Sequence, residues 1–452
     1  MDSTYRYVEK LVETLGSPLG LAAVIIAPAI VIFAQRHNRA FELAFAALLY
    51  GSCFSVADRH YFQNTLTQPF ELIKMNSRVL FSLLLLACGL AAFALTRQAT
   101  PPKRLCIAPC FLFGFQILYA CRIISVGLVS RGFLSLAIFA FCFAIFYRQL
   151  PRLLLLPKNS LSVLVVIGLA LNAFLLTNLI QRVFNPSGVI HAGRMYGATH
   201  NPQQLAMLMG LTLLTNAYLV RYFSLRTLWG KAALAGCLGA ILVIGMTGSR
   251  TGMLISASGL IAFMGRSMPQ RVYIASGFIA AALLVALLAR DFSHIADHRM
   301  TSFDDNRSAI WWEEFQGMID NPVFGEIRLT GVRGGTGAND QIKIRENSFL
   351  TAGHLTGIGG FILLSSWAFA FLRELYMLRT RCPSLLLDYS FGFAVSVVIG
   401  SVFEGYLLSV TGPLIILIYS ITVCVAWERD QLRTPVQRIQ TAVSRTATVT
   451  GG

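Results

Sequence analysis

Charged residues are scarce in this chain. Only 13% of its 452 residues are Asp, Glu, Lys or Arg, whereas 55% are hydrophobic and the mean hydropathy is +0.64. Because soluble domains carry roughly 25% charged residues, this composition excludes an ordinary soluble protein and predicts an integral membrane protein. The net charge of +16 then indicates basic cytoplasmic loops, and we predict no nucleic-acid partner.

Several motifs are also missing. The nine cysteines form no C-x-x-C pair and mostly lie in apolar runs, so we predict neither a disulfide nor a metal site. No outward segment holds Asp-x-Asp, since Asp304 and Asp305 are adjacent. Glu42 and Glu404 lie at span ends rather than in mid-span, and no inverted repeat is detectable, which disfavours a proton-coupled transporter. Residues 1–17 are too polar for a cleavable signal.

Long apolar runs alternate with polar connections along most of the chain. Because a run of about 17–25 residues spans the hydrocarbon as a helix, the sequence predicts an all-α polytopic membrane protein with about 12–13 transmembrane helices. The division is a lead-in at 1–17, a bundle of about ten spans at 18–290, a large external loop at 291–348, C-terminal spans at 349–427 and a tail at 428–452. The expected spans are 18–34, 41–57, 78–96, 105–121, 132–147, 160–180, 203–221, 229–247, 252–266, 272–290, 349–372, 385–402 and 406–427.

Lysine and arginine concentrate in every second connection. The bias of basic residues toward the cytoplasm places these connections and the C-terminal tail inside. The connection at 181–202 and the loop at 291–348 then face the periplasm or cell exterior. Thirteen spans would leave the N-terminus outside, whereas twelve spans after a re-entrant first segment would leave it inside.

The outward connections carry arginines from separate segments. Arg194, Arg250 and Arg307 precede or open predicted helices, and Arg182 lies at the end of a span. Converging guanidinium groups suit a phosphate or pyrophosphate, because the planar fork binds oxyanions bidentately. In the large loop, residues 306–319 predict an amphipathic helix with Asn306 as N-cap. Its apolar side is expected to hold Ile310, Trp311, Phe315, Met318 and Ile319.

A plainer interpretation exists for each of these residues. An arginine at a span end usually extends to lipid headgroups, and the helix at 306–319 can lie in the membrane interface with Trp311 and Trp312 as belt residues. His354 can be a packed histidine, and Glu346 can form a surface ion pair. The coincidence of three outward arginines favours a site.

Four segments together resemble the O-antigen polymerase and ligase superfamily of bacterial polysaccharide assembly. "GRMYGATHNPQQLA" is similar to its Arg-x-x-Gly-x-x-x-Asn-Pro-Asn segment, and "TGSRTGML" to its Thr-x-Ser-Arg turn. "NRSAIWWEEFQGMIDNPVFG" resembles its Arg, Trp and Asn-Pro-x-x-Gly loop helix. "ENSFLTAGHLTGIGG" resembles its His-Asn-x-x-Leu and Gly-x-x-Gly entry to the next span. The resemblance covers roughly residues 180–410.

The resemblance implies a metal-independent membrane glycosyltransferase that needs no cofactor. Its donor would be a glycan on undecaprenyl pyrophosphate, used at the periplasmic face of the bacterial inner membrane, and its other partners the lipid bilayer and a chain-length regulator. Arg194, Arg250 and Arg307 would hold the pyrophosphate and stabilise it as leaving group.

The general base is the least determined part of this assignment. Glu346 stands where the family's ligases have histidine; a carboxylate can act as the base if its pKa suits the working pH. We therefore expect Glu346, Arg250 and Arg307 to be catalytic and Arg194, Arg182, His354 and Glu404 to bind substrate. The presence of Glu346 where the family's ligases have histidine favours a polymerase of exopolysaccharide or O-antigen repeat units over a ligase that transfers the glycan to a lipid A core or another acceptor. A flippase or transporter of lipid-linked glycans is the alternative from another class.

Overall fold

The computed structural model is mostly helical. It describes residues 29, 38–54, 66–74, 107–148, 163–191, 193–265, 307–327, 329–330, 341–342, 347–408 and 412–430. The helices of the first part are α1 (Asn38–Ser52), α2 (Ile107–Ser125), α3 (Val129–Arg148), α4 (Val163–Phe184) and the short α5 (Pro186–Val189). They are followed by α6 (Pro202–Phe223), α7 (Leu228–Thr247), α8 (Arg250–Met264), α9 (Arg307–Asp320), α10 (Ser348–Thr356), α11 (Ile358–Arg381), α12 (Leu385–Phe403) and α13 (413–430).

Two small hairpins accompany the helices. The strands β1 (Ile190–His191) and β2 (Arg194–Met195) pair antiparallel, as do β3 (Leu329–Thr330) and β4 (Gln341–Ile342). Within the described residues, six helices are long and apolar enough to cross a membrane: α2, α4, α6, α7, α11 and α12. The chain is therefore a helical multi-pass membrane protein, as the hydropathy predicts. The expected spans at 18–34, 78–96 and 272–290 lie essentially outside the described residues.

Two predicted spans are not continuous helices. The span expected at 349–372 is divided at Gly357 into the short α10 and the long α11. Gly357 has φ +78 and ψ −176, a conformation essentially restricted to glycine, and this residue ends one helix before the next begins. The span expected at 406–427 opens with a 3-10 turn at Tyr406–Leu408, and its helix occupies 413–430.

Small residues bring the helices of the bundle close together. A Cβ at Gly252 of α8 would overlap the Cβ of Ala206 on α6, and a Cβ at Gly400 of α12 would lie 2.8 Å from Ile255 Cδ1. Such close backbone approach is typical of helix packing in membranes. α6 and α8 run parallel, and α12 runs antiparallel to both.

A pair of asparagine side chains joins α4 to α6. Asn172 Nδ2 donates to Asn216 Oδ1 at 2.8 Å, and Asn216 Nδ2 donates back to Asn172 Oδ1 at 2.9 Å. Gly236 of α7 packs against both amides, since its Cβ would lie 2.5 Å from each. The three helices are thus held by one reciprocal amide pair, and α4 and α7 both run opposite to α6.

These directions define two ends of the bundle. One end of the bundle, which we call the site end, holds the N-terminal ends of three helices and the C-terminal ends of four others. The helices that begin there are α6, α8 and α11, and those that end there are α2, α4, α7 and α12. The opposite end carries the basic connection between α6 and α7, and it is closed by an ion pair in which Arg379 Nε lies 2.5 Å from Asp388 Oδ1. Nearby, Glu374 Oε1 accepts a hydrogen bond from Ile107 N at 2.9 Å. Among the described residues, the basic connection at 221–231 and the arginines at 373–381 lie at this opposite end, and the remaining predicted basic connections lie largely or wholly outside the described residues.

The side of the membrane at each end is open to a direct test. A reporter fused after Arg429 should behave as cytoplasmic, and one inserted near Gly335 as external, because basic connections stay inside. Alkaline phosphatase and green fluorescent protein fusions measure this. The opposite pattern would invert the orientation and move the arginines away from the periplasm.

Candidate functional site

Two of the predicted arginines lie at one turn of the site end. α7 ends at Gly248, which has φ +59, and the hydroxyl of Ser249 caps α8. Arg250 is the first residue of α8 and is exposed. Arg194 Nε donates to Thr247 O at 2.8 Å, three residues before Arg250. Arg194 thus contacts the turn that leads into α8, whose first residue is Arg250, and the N-terminus of a helix favours an anion.

The hairpin that carries Arg194 is fixed from both sides. Arg194 pairs with His191 across β1 and β2, and the following residue, Met195, is buried. Ala198 N donates to Asn178 Oδ1 of α4 at 2.8 Å. Asn201 then accepts hydrogen bonds from two backbone N–H groups of the first turn of α6 and serves as its N-cap. The Asn-Pro pair of the first motif is thus a helix start, with proline at the first helical position.

His200, between the hairpin and α6, is buried and lies in the left-handed region with φ +52. Lys74 Nζ lies 2.7 Å from its Nδ1. Burial, and secondly the charge of Lys74, lowers the pKa of His200 to about 4. The ring is therefore neutral at neutral pH, and its unprotonated nitrogen can accept a hydrogen bond from the ammonium group of Lys74.

This shift predicts acid-sensitive folding. The unfolded histidine binds a proton below about pH 6.5 and the folded one only below pH 4, so stability should fall as the pH drops through that window. His200→Gln keeps a hydrogen-bond acceptor at this position but introduces a side chain that does not titrate, so the variant should lose less stability at acidic pH. Thermal unfolding in detergent at pH 7.0 and pH 4.5 measures the difference. Equal acid sensitivity of both proteins would contradict the assignment.

The loop helix α9 docks on α10 through a buried carboxylate. Glu314 is fully buried, and its Oε1 accepts a hydrogen bond from Thr351 Oγ1 at 2.5 Å. One turn on, Gly317 packs against the ring of His354, which a Cβ there would overlap. Trp311 contacts Phe403 at the end of α12, with ring centroids 5.9 Å apart. α9 is thus joined to the membrane helices along one face.

The residues of the predicted apolar side of α9 have two different environments. Met318 is buried, whereas Phe315 and Ile319 are exposed, and the face against α10 also carries Glu314 and Gly317. Close approach to His354 requires a residue without a side chain, and this selects the Gly317 face. Asn306, the predicted N-cap, lies outside the described residues.

The Asn-Pro-Val-Phe-Gly turn after α9 packs on the Gly357 break. Ile358 N donates to Pro322 O at 2.8 Å, and Glu326 N donates to His354 O at 2.6 Å. A Cβ at Gly357 would lie 2.5 Å from Pro322 O, and Gly325 itself has φ +66. The third and fourth motifs are therefore two sides of one backbone contact.

Glu404 lies at the C-terminal end of α12 and is buried. Ser348 Oγ, at the start of α10, donates to Glu404 O at 2.6 Å. Tyr406 Oη donates to Gln203 O at the start of α6, at 3.2 Å. These contacts connect the segment immediately after Glu346 to Glu404 and to the helix that follows the Arg194 hairpin.

The predicted residues thus form two groups at the site end. Arg194 and Arg250 share one turn, whereas His354 and Glu404 belong to the α9–α10 contact and its neighbourhood. Arg182 lies in the last turn of α4 with its Nε buried. Arg307 is the first residue of α9, but its side chain lies outside the described residues, as does Glu346.

Sequence reasoning missed Glu314 and Arg122. Glu314 follows another glutamate in an amphipathic pattern, and its pairing with a threonine thirty-seven positions away has no local signal. Arg122 ends α2 and donates to Gly325 O at 3.1 Å, so it anchors the turn after α9. Its position opposite the basic connections was the available signal. In the described part of the chain, no group of three His, Cys, Asp or Glu residues could hold a metal ion.

No family model matches this chain, and no curated protein matches it significantly.

Proposed function

We propose that this protein is a membrane glycosyltransferase that polymerises lipid-linked repeat units at the periplasmic face of the inner membrane. The observation that carries the proposal is the shared turn of Arg194 and Arg250 at the start of α8. It places two arginines beside the N-terminus of one helix, where the helix dipole favours an anion. A pyrophosphate between an undecaprenyl chain and a glycan is an anion of this kind at a membrane surface.

In the proposed reaction, a hydroxyl of the acceptor sugar attacks the anomeric carbon of the donor glycan. The bond between that carbon and the phosphate oxygen breaks, and undecaprenyl pyrophosphate leaves with the electron pair. Arg194 and Arg250 stabilise the charge that grows on this leaving group, which is the largest contribution a protein makes in many such reactions. The hydroxyl proton passes to a general base.

The base would come from the second group of residues. Glu346 is our first candidate because it stands where the ligases that the chain resembles have histidine, and it lies two residues before Ser348, whose Oγ donates to Glu404 O at 2.6 Å. The donor would be held by the arginine turn and the acceptor by the α9–α10 side, with α12 between them. Positioning two substrates this way supplies much of the rate when the donor is already activated.

The decisive experiment uses purified protein in nanodiscs and a synthetic undecaprenyl-pyrophosphate repeat unit. A ladder of products that differ by one repeat is expected on a gel. A second tube also contains lipid A core: transfer of a single glycan to the core, without a ladder, would identify a ligase. No transfer in either tube, together with movement of the lipid between the two leaflets of proteoliposomes, would identify a transporter and overturn the proposal.

Replacing the proposed base should separate chemistry from binding. Glu346→Gln keeps the shape but cannot accept a proton, and a general base typically contributes about 10²–10⁴-fold. We expect a rate loss in this range with unchanged donor affinity, measured by single-turnover transfer. Glu404→Gln is the comparison. Normal turnover of the Glu346 variant with loss in the Glu404 variant would transfer the role to Glu404.

A further inference from the structure

α9 presents a strip of exposed apolar side chains. Trp312, Phe315 and Ile319 are 60%, 39% and 52% exposed. Their spacing of three and four residues places them on one side of the helix. The rings of Trp312 and Phe315 lie 5.7 Å apart and form a small aromatic surface.

The strip is distinct from the docked face of α9. Gly317 and Met318, which pack against α10, lie on another side of the helix together with Glu314. A third side carries the exposed polar residues Gln316 and Asp320. The helix is therefore attached to the bundle on one side, apolar on the second and polar on the third. The contact with the bundle does not explain why the second side is apolar.

The apolar surface continues onto a membrane span. Val323 and Phe324, directly after α9, are 70% and 68% exposed, and their turn is bonded to the start of α11 through Pro322. From there, one stripe of exposed side chains runs along α11, at helical spacings of four and seven. The stripe comprises Ile358, Ile362, Phe369 and Tyr376. Because α11 is long and apolar enough to cross a membrane, this stripe is a lipid-facing surface.

We propose that α9 and its following turn are embedded in the headgroup boundary of the bilayer at the site end, with the strip of Trp312, Phe315 and Ile319 in contact with lipid. A helix with separate apolar and polar sides lies in the plane of the interface, and tryptophan is enriched at this depth. The polar side of α9 then faces water. The inference stands independently of the proposed enzymatic activity, because it concerns only where the helix lies.

The first test is the accessibility of nitroxide labels in phosphatidylcholine vesicles. The labels are placed by Ile319→Cys on the strip, Gln316→Cys on the polar side and Ile362→Cys on the span, with exposed Cys110 and Cys121 replaced by serine. The Ile319 label should be relaxed mainly by oxygen, as the Ile362 label is. The Gln316 label should be relaxed mainly by a water-soluble nickel chelate.

Two results would overturn the proposal. Nickel accessibility of the Ile319 label equal to that of the Gln316 label would place the strip in water. Low accessibility to both relaxing agents, with dipolar broadening between labels, would show that a second copy of the chain covers the strip.

A second measurement avoids cysteine substitution altogether. Full-length protein is reconstituted with phosphatidylcholine brominated near the headgroup end of the acyl chain, and tryptophan emission is compared with that of Trp312→Phe. The difference between the two proteins reports Trp312 alone among five tryptophans. We expect the brominated lipid to quench this difference emission at least as strongly as it quenches the total tryptophan emission of the unmodified protein. An unquenched difference emission would place Trp312 outside the bilayer.

Discussion

Replacing Arg250 by alanine should lower product formation about 10²–10³-fold, the usual effect of removing one group that stabilises transition-state charge. Arg250 is exposed at the first position of α8 and is not part of the buried core. Substitutions at such surface sites usually change stability within about ±0.5 kcal/mol. The protein should therefore insert and purify normally. Single-turnover transfer from the lipid-linked donor measures the effect.

Arg226→Ala is the matched control, because Arg226 is an exposed arginine in the basic connection at the opposite end. It should retain full activity. Arg250→Lys keeps the charge without the bidentate fork and should recover only part of the rate. Arg307→Ala should also lose product if its side chain joins the same anion. Near-normal product from both alanine variants would refute the pyrophosphate role and restore the view that these arginines extend to headgroups.

Replacing Gly357 by alanine should detach α9 from α10 and destabilise the protein. At φ +78 and ψ −176 a side chain is strained, which costs about 1–3 kcal/mol in backbone terms alone. The added Cβ would also lie 2.5 Å from Pro322 O and 2.7 Å from Val323 O. Both neighbours are backbone atoms of the turn after α9, so they can yield only if the turn moves away.

Gly359→Ala is the control, since a Cβ at Gly359 meets nothing closer than Leu118 Cδ2 at 3.7 Å. It should be neutral or slightly stabilising within the helix. Limited proteolysis in detergent should cut the Gly357 variant faster near α9, and its apparent melting temperature should fall by several degrees. Identical digestion of the two variants would show that the α9 turn is not held by Gly357.

The sequence predicts the six long apolar helices among the described residues because hydropathy is a local property. α4, α6 and α7 fall within a few residues of the expected 160–180, 203–221 and 229–247. Interruptions are harder to predict, because Gly357 breaks a continuous apolar run only where a distant turn packs against it. The apolar run by itself gives no sign that this turn packs against Gly357.

In the candidate site, too, local features could be predicted from the sequence and contacts between distant segments could not. Arg194 and Arg250 could be proposed together because both precede helix starts on the outward side, and the hydrogen bond to Thr247 shows how closely their segments meet. The orientation of α9 could not be predicted. Its helical periodicity places Phe315 and Ile319 on an apolar side without saying what that side contacts, and the side that faces α10 depends on Gly317 and His354, which are far apart in the chain.

The reciprocal amide pair of Asn172 and Asn216 has a consequence for the support of the arginine turn. It locks α4, α6 and α7 in one axial alignment, and the segments that carry Arg194 and Arg250 are suspended from these three helices. Arg194 thus contacts a turn next to helices that are joined by side-chain hydrogen bonds, and α9 is joined to the bundle by a buried carboxylate, an aromatic contact and the backbone bonds of its following turn. Under the proposed function, we expect the arginine turn to bind the same lipid pyrophosphate in every transfer, because none of these supports depends on the length of the glycan.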